Sequence, residues 1–469
     1  MQNLYRPYFD PEFETLMERI HPPWVCIDND SCGDCTLVKV DSANKPGILL
    51  DMVQVLTDLD LVISKSYISS DGGWVMDVFH VTDRRGNKIT EESVIHYIQQ
   101  ALCAGRKSTS GRNGPEEADT HQSSLVTDNN TALEMTATDR PGLLSEMSAV
   151  LAELECHIVV AEAWTHNKRA ACIMYLSDQT TRRPISDREH LARIEEQLVN
   201  VVGAHYQDGD KRTRMRVRLS GPKTGRPHTE RRLHQLMMAD RDYEEDEDEA
   251  VERKRSGARV SIENCKEKRY SIVNVRSKDR PKLLFDTVCT LTDMDYVVFH
   301  AAISSHGSLA AQEYCIRQRD GCTLDSESER RRITQCLIAA VERRVSHDLR
   351  LDLCTGNRVG LLSDVTRVFR ENSLSISRAE LSVRGERASG TFYVTDASGD
   401  DVDPKTVETI RKEIGGTSLE VNNAPVWGVP LHVNTAQTDS REDKSRSSLG
   451  SLLRAQLERI SSNFASIRP

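Results

Sequence analysis

One octet recurs four times along this chain at a nearly constant spacing. "NKPGILLD" begins at Asn44, "DRPGLLSE" at Asp139, "DRPKLLFD" at Asp279 and "NRVGLLSD" at Asn357. In three copies an acid ending a similar string follows 39 positions on, at Asp83, Asp178 and Asp396, and in the third copy the matching acid, Asp320, follows 41 positions on. Similarity at matched offsets makes the repeat a folding unit and not a short motif. Four such units suit a chain of 469 residues, which is too long for a single core.

Each unit opens on an alternating stretch. It is clearest in "LRLDLC", where Leu349, Leu351 and Leu353 share one face and Arg350 and Asp352 the other, as in a half-buried strand. From the second half of the octet, apolar residues recur at three- and four-residue steps (Leu143, Leu144, Met147, Val150, Leu151 and Leu154 in the second copy), which predicts a helix with one buried stripe. Two strand-like runs follow, joined in the first copy at Ser70 to Gly73, "SDGG", where glycines suit a hairpin turn. A second helix closes each unit, and Asp403 followed by Pro404 marks one of its starts. The order is βαββαβ and the class α+β, with helices on one sheet face and the other face free. The last strand is visible only in the fourth copy, as Ser418 to Asn423.

The expected boundaries are residues 36–112, 125–206, 268–346 and 348–424 for the four units, with an N-terminal segment over 1–35, a charged linker over 207–259 and a tail over 425–469. That linker divides the units into two pairs and predicts that the first packs on the second and the third on the fourth. Within it Leu233, Leu236 and Met237 stand at helical spacing and predict a short docked helix. A final amphipathic stretch, Leu449 to Ile460, is also expected to dock.

Composition removes several function classes. Net charge is -10, and the acid run Asp240 to Glu249 would repel a phosphate backbone, so nucleic acid is not an expected partner. The basic run Lys211 to Arg218 reads as a solvated linker or an edge-strand face. Aromatics are 5% of the chain, too few for the stacking platforms of RNA-recognition modules that share the same element order. No apolar run approaches the roughly 20 residues that a membrane-spanning helix needs, and the acidic N-terminus lacks the apolar core of a secretion signal. A cytoplasmic or nuclear location is therefore expected, with the twelve cysteines reduced. His21, Cys26, Cys32 and Cys35 offer soft ligands, but one C-x-x-C pair stands where structural zinc sites have two, so no metal is expected.

Four octets with matching flanks, in segments such as "DSANKPGILLDMVQVLTDLDL", "AEAWTHNKRAACIMYLSD" and "DRPKLLFDTVCTLTDMDYVVFHA", resemble the ACT-domain family. From Trp24 to Asn423 the chain looks like the plant proteins built only of ACT repeats. The resemblance implies four ferredoxin-like modules paired side by side through their sheets, with a homodimer as a further assembly open to them. It implies a non-enzymatic regulatory protein, without cofactor, that binds a free amino acid and acts on a protein target not identifiable from sequence. The ligand would lie at a module interface, against the loop between first strand and first helix.

A helix start offers unpaired backbone N-H groups to a carboxylate, and glycine permits close approach. Carried over by position, the ligand contacts are Asn44, Pro46 and Gly47; Asp139, Arg140, Pro141 and Gly142; and Asn357, Arg358 and Gly360. The acid or amide at the first position would cap the helix or accept a bond from an amino group. Lys282 replaces the glycine in the third copy and would obstruct a ligand, and Val359 replaces the proline in the fourth. Two other readings remain: the octet is only a helix start, and the chain a scaffold whose modules associate without ligand. ACT repeats also end bacterial uridylyltransferases, but no region here is left over for a nucleotidyl-transfer domain.

Overall fold

Alternation gives way to helical spacing at each octet, and there the strand turns into a helix. The computed structural model describes residues 23–71, 73–104, 128–204, 215–244, 257–265, 267–345, 348–415 and 419–422. The first copy comprises β1 (Trp24–Asp28), β2 (Thr36–Ala43), α1 (Ile48–Asp58), β3 (Val62–Asp71), β4 (Trp74–Thr82) and α2 (Glu92–Ala104). The second comprises β5 (Thr131–Thr138), α3 (Leu143–Glu153), β6 (Cys156–His166), β7 (Arg169–Asp178), α4 (Arg188–Gly203) and β8 (Arg216–Ser220), followed by α5 (Thr229–Ala239). The third has β9 (Arg259–Cys265), β10 (Tyr270–Lys278), α6 (Leu283–Asp293), β11 (Tyr296–His306), β12 (Leu309–Gln318) and α7 (Glu327–Glu342). The fourth has β13 (Leu349–Gly356), α8 (Leu361–Glu371), β14 (Leu374–Arg384), β15 (Arg387–Asp396), α9 (Pro404–Ile414) and β16 (Leu419–Asn422).

The second and fourth copies have the βαββαβ order. In the first and third the edge strand precedes the unit instead of following it: β1 pairs antiparallel with β2, and β9 with β10. Those two copies are circular permutations of the other two, with the same strand order in space. This is why no last strand can be read at their C-terminal ends.

The strands form two eight-stranded antiparallel sheets, ordered β1-β2-β4-β3-β11-β12-β10-β9 and β16-β13-β15-β14-β6-β7-β5-β8. The first copy therefore pairs with the third and the second with the fourth, which overturns the expectation of 1 with 2 and 3 with 4. The linker's composition favours solvent, but it carries no information about which strands meet. The described residues divide accordingly into one unit with those within 23–104 and 258–337, and another with those within 128–257 and 338–422. Each sheet is continuous through the junction of its two copies. There Ala302 lies opposite Tyr67 in one unit, and Glu380 opposite Glu162 in the other. All four residues stand 23 positions after the start of their octets, so each unit has a local two-fold relation between its copies.

Helices α3 and α8 pack together over the second sheet, and Leu143, Met147, Leu151, Leu361, Val365 and Phe369 belong to one buried cluster with the inward strand residues. The other sheet face is not wholly free. Helix α5 lays Leu233, Leu236 and Met237 against Ala132, Trp164, Ala171, Ile173 and Tyr175. The docked helix expected in the linker is thus present. It explains why nine consecutive residues of β7, from Arg169 to Ser177, are buried on both faces. Asp403 caps α9, accepting from Lys405 N at 2.9 Å, with Pro404 in the first turn. Residues 105–119, His21, the second half of the acid run and the stretch Leu449 to Ile460 lie outside the described residues. No helix among the described residues is long and apolar enough to cross a membrane.

Candidate functional site

Two bonds and one backbone conformation fix the octet, and they recur across the copies. The first residue does not cap the helix with its side chain. Instead its main-chain N-H reaches the turn of the neighbouring hairpin: Asn44 to Gly73 O at 2.7 Å, Asp139 to Lys168 O at 2.8 Å, Asp279 to Ser308 O at 2.9 Å and Asn357 to Glu386 O at 2.7 Å. The fourth residue is left-handed and ends the loop, with φ of 85° at Gly47, 81° at Gly142, 64° at Lys282 and 69° at Gly360. The base at the second position bridges to the acid at the eighth: Arg140 to Glu146, Arg280 to Asp286 and Arg358 to Asp364. These features account for the base, the acid at the eighth position and the glycine without any ligand. Lys282 holds the same backbone as the glycines, so the glycine serves the turn first.

Only some of the expected contacts come together. In the first copy Asn44 and Pro46 are exposed, and a side-chain carbon at Gly47 would meet nothing within 4 Å. In the second unit, both octet loops face the helix of the partner copy. A cavity of about 40 Å³ is lined by Asp139, Arg140 and Gly142 from the second copy and by Thr366, Arg370 and Ile376 from the fourth. A smaller one, about 20 Å³, is lined by Asn357, Arg358 and Gly360 with Ser148 and Ala152. The two cavities are related by the local two-fold, and Ser148 Oγ lies 3.2 Å from Thr366 Oγ1 across it. Pro141 is exposed and lines neither cavity.

The relation is broken at one position. A side-chain carbon at Gly142 would lie 2.8 Å from Arg370 Cδ, whereas one at Gly360 would lie 3.8 Å from the Ala152 methyl. Arg370 thus lies over the second copy's loop, and the equivalent place over the fourth is left to a methyl group. Arg370 and its neighbours from the fourth copy line this cavity but are not among the contacts expected from sequence, which paired the wrong copies. A column comparison carried the signal: Arg370 stands where the other copies have Thr57, Ala152 and Thr292.

Burial pushes the Asp139 carboxyl up to about 6, against the opposing pull of the Arg140 N-H and guanidinium. Arg140 itself also donates to Val201 O at 3.2 Å, so it is held by the fold. The wall opposite is apolar, with Met135, Met147 and Leu374. Leu144 and Ser145, in the first turn of α3, also line the cavity, and first-turn N-H groups have no partner one turn back.

Charged groups elsewhere serve packing. Two acids of the run beginning at Asp240 are buried, Asp240 against Arg169 at 2.5 Å and Asp242 against Arg343 at 2.6 Å. The Arg343 and His166 side chains hold the Asp242 carboxyl far below the usual carboxylate range despite its burial. The end of the basic run forms edge strand β8. Among the described residues no three or more His, Cys, Asp or Glu side chains are grouped to hold a metal, and His21 falls outside them.

Comparison with known proteins gives consistent matches. The model of the ACR family N-terminal ACT domain matches residues 31–109, and that of the ACT domain matches residues 347–415. The chain is 54% identical over 427 residues to ACT domain-containing protein ACR3 of Arabidopsis thaliana, covering 89% of this chain and 91% of that one. It is 48% identical to ACT domain-containing protein ACR1 of the same plant over 481 residues, the whole of both chains. A bifunctional uridylyltransferase/uridylyl-removing enzyme of Azospirillum brasilense is 40% identical over 81 residues, which are 17% of this chain and 9% of the enzyme.

Proposed function

This chain belongs to the ACR family of ACT domain-containing proteins, and on that premise we propose that it is a non-enzymatic regulator whose second unit binds a free amino acid. The observation that carries the reading is the cavity between the second and fourth copies, where Asp139, Gly142 and Arg370 converge. Asp139 would receive the ammonium group, and Arg370 with the first turn of α3 the carboxylate. Met135, Met147 and Ile376 suit an apolar side chain. At about 40 Å³ the cavity holds a few waters and no amino acid, so Arg370 must swing off Gly142 for the ligand to enter. That movement is the physical means by which occupancy would be reported to a protein target, in the cytoplasm or nucleus.

A second reading, a ligand-independent scaffold, is favoured by Lys282, which completes the same turn with no glycine. A thermal-shift screen against the twenty amino acids separates the two. A ligand bound only by the folded state adds RT ln(1 + [L]/Kd), about 2.7 kcal/mol at a hundredfold excess over Kd. The sensor reading expects a saturable rise with one or two amino acids, abolished by Gly142→Lys and weakened roughly 10- to 100-fold by Arg370→Ala, the range for a charge-assisted hydrogen bond. A flat response to all twenty would leave the scaffold.

A further inference from the structure

The pair Cys32 and Cys35 lies in the turn between β1 and β2, outside the octets and unused by the loops they form. Cys35 Sγ donates to Cys32 Sγ at 3.2 Å. The turn around them is held from both sides. The Asp28 carboxylate accepts from the Asp30 and Ser31 N-H groups at 2.9 Å each and pairs with Lys39 at 2.7 Å. Lys88 Nζ donates to Asn29 O at 2.7 Å and to Cys32 O at 2.5 Å. Thr36 donates to Asn29 Oδ1 at 2.6 Å and accepts from Ile89 N at 2.8 Å. Between the two thiols, Gly33 has open space on its side-chain face.

We propose that Cys32 and Cys35 are a dithiol site that reacts with a low-molecular-weight disulfide of the glutathione type and closes an intramolecular disulfide. Bringing the sulfurs from 3.2 Å to bonding distance takes a movement of about 1 Å, which a four-residue turn centred on glycine absorbs. The two thiols differ as the reaction requires. Cys32 is half-buried, and the Asp34 N-H and the Cys35 thiol, both directed at it, lower its pKa. Cys35 is 5% exposed, and burial pushes it up to about 12. The Cys32 thiolate attacks one sulfur of the small disulfide, whose S-S bond breaks and releases one thiolate. Cys35 then gives its proton to solvent and attacks Cys32 Sγ, and the second small thiolate leaves with the bonding pair. The protein loses two electrons and two protons, and the small disulfide becomes two thiols.

The test uses the full chain, incubated at graded ratios of reduced to oxidised glutathione, acid-quenched, alkylated and mapped by peptide mass spectrometry. The exposed thiols Cys103, Cys322 and Cys354 serve as internal references. The expected result is a Cys32-Cys35 disulfide at ratios where the reference thiols are still reduced. Cys35→Ser should trap a glutathione adduct on Cys32, and Cys32→Ser should leave Cys35 unmodified. The proposal is overturned if the pair stays reduced while the reference thiols react, if the adduct forms on Cys35, or if added zinc at equimolar amount protects both thiols with a third protein ligand.

Discussion

The same octet ion pair stands in three environments, which makes the repeats an internal experiment on burial. Arg280 and Asp286 meet at 2.5 Å with side chains 1% and 0% exposed, whereas Arg358 and Asp364 are 56% and 37% exposed. Removing one partner of a buried pair strands a charge in low dielectric and costs about 3 to 5 kcal/mol. An exposed pair contributes about 0.2 to 1 kcal/mol, since water already screens it. Arg280→Met should therefore destabilise the first unit by about 3 to 5 kcal/mol, and Arg358→Met the second by under ~1 kcal/mol. Urea unfolding followed by hydrogen exchange of peptides from each copy assigns each loss to its own unit. The double variant Arg280→Met with Asp286→Leu is the control, because replacing both charges by apolar groups is often neutral. It should recover most of the loss. Equal losses for the two single variants, or no recovery in the double, would refute the argument. The second result would place the stabilisation in other contacts of Arg280, such as its bond to Pro281 O at 3.2 Å.

Asp77 is fully buried, accepts from Ser69 N at 3.3 Å, and is pushed by burial up to about 8. The folded state thus keeps a proton that the unfolded chain releases near the ordinary value of 3.8, so this contribution is complete below about pH 4 and lost as pH rises through 8. Asp77→Asn should flatten that decline, whose slope reaches at most about 1.4 kcal/mol per pH unit, in unfolding curves of the first unit between pH 5 and 9. Asp242→Ala, which strands the Arg343 guanidinium, should cost about 3 to 5 kcal/mol and raise hydrogen exchange first in α5; uniform exchange across the unit would contradict its role in docking that helix. Chain halves ending at Gly257 and beginning at Ala258 each hold one copy of both units, so coexpression should give a stoichiometric complex of the two. Two halves that each unfold cooperatively as lone monomers would overturn the 1 with 3 and 2 with 4 arrangement.

The helices and hairpins were legible because their periods, 3.6 and 2, are written in residues such as Leu361, Val365 and Val368 or Leu349, Leu351 and Leu353. The docking of α5 was legible in its own stripe; "AACIMYL" of β7, too continuously apolar for a strand with one wet face, carried the same signal but went unread when that sheet face was expected to be free. Other features escaped. The edge strands β1 and β9 were sought after their units, but a sheet edge can be filled from either end of a chain at the same hydrogen-bonding gain. The octet's base read as a ligand contact, although its bridge to the acid at the eighth position holds it in place whether or not a ligand binds.

The two junctions differ in charge at the two-fold positions. Tyr67 and Ala302 are uncharged, and Glu162 and Glu380 are acids. Burial pushes Glu162 up to about 7, with Glu230 and Glu380 adding to the shift and Arg344 and Arg378 opposing it. Arg344 also pairs with Glu230 at 2.7 Å and lies over the Trp164 ring at 4.6 Å, while Arg378 pairs with Glu380. Both arginines belong to the fourth copy or the residues just before it. At this junction two acids face each other across neighbouring strands, and Arg344 and Arg378 offset the repulsion between them, a requirement that linker length and composition do not encode.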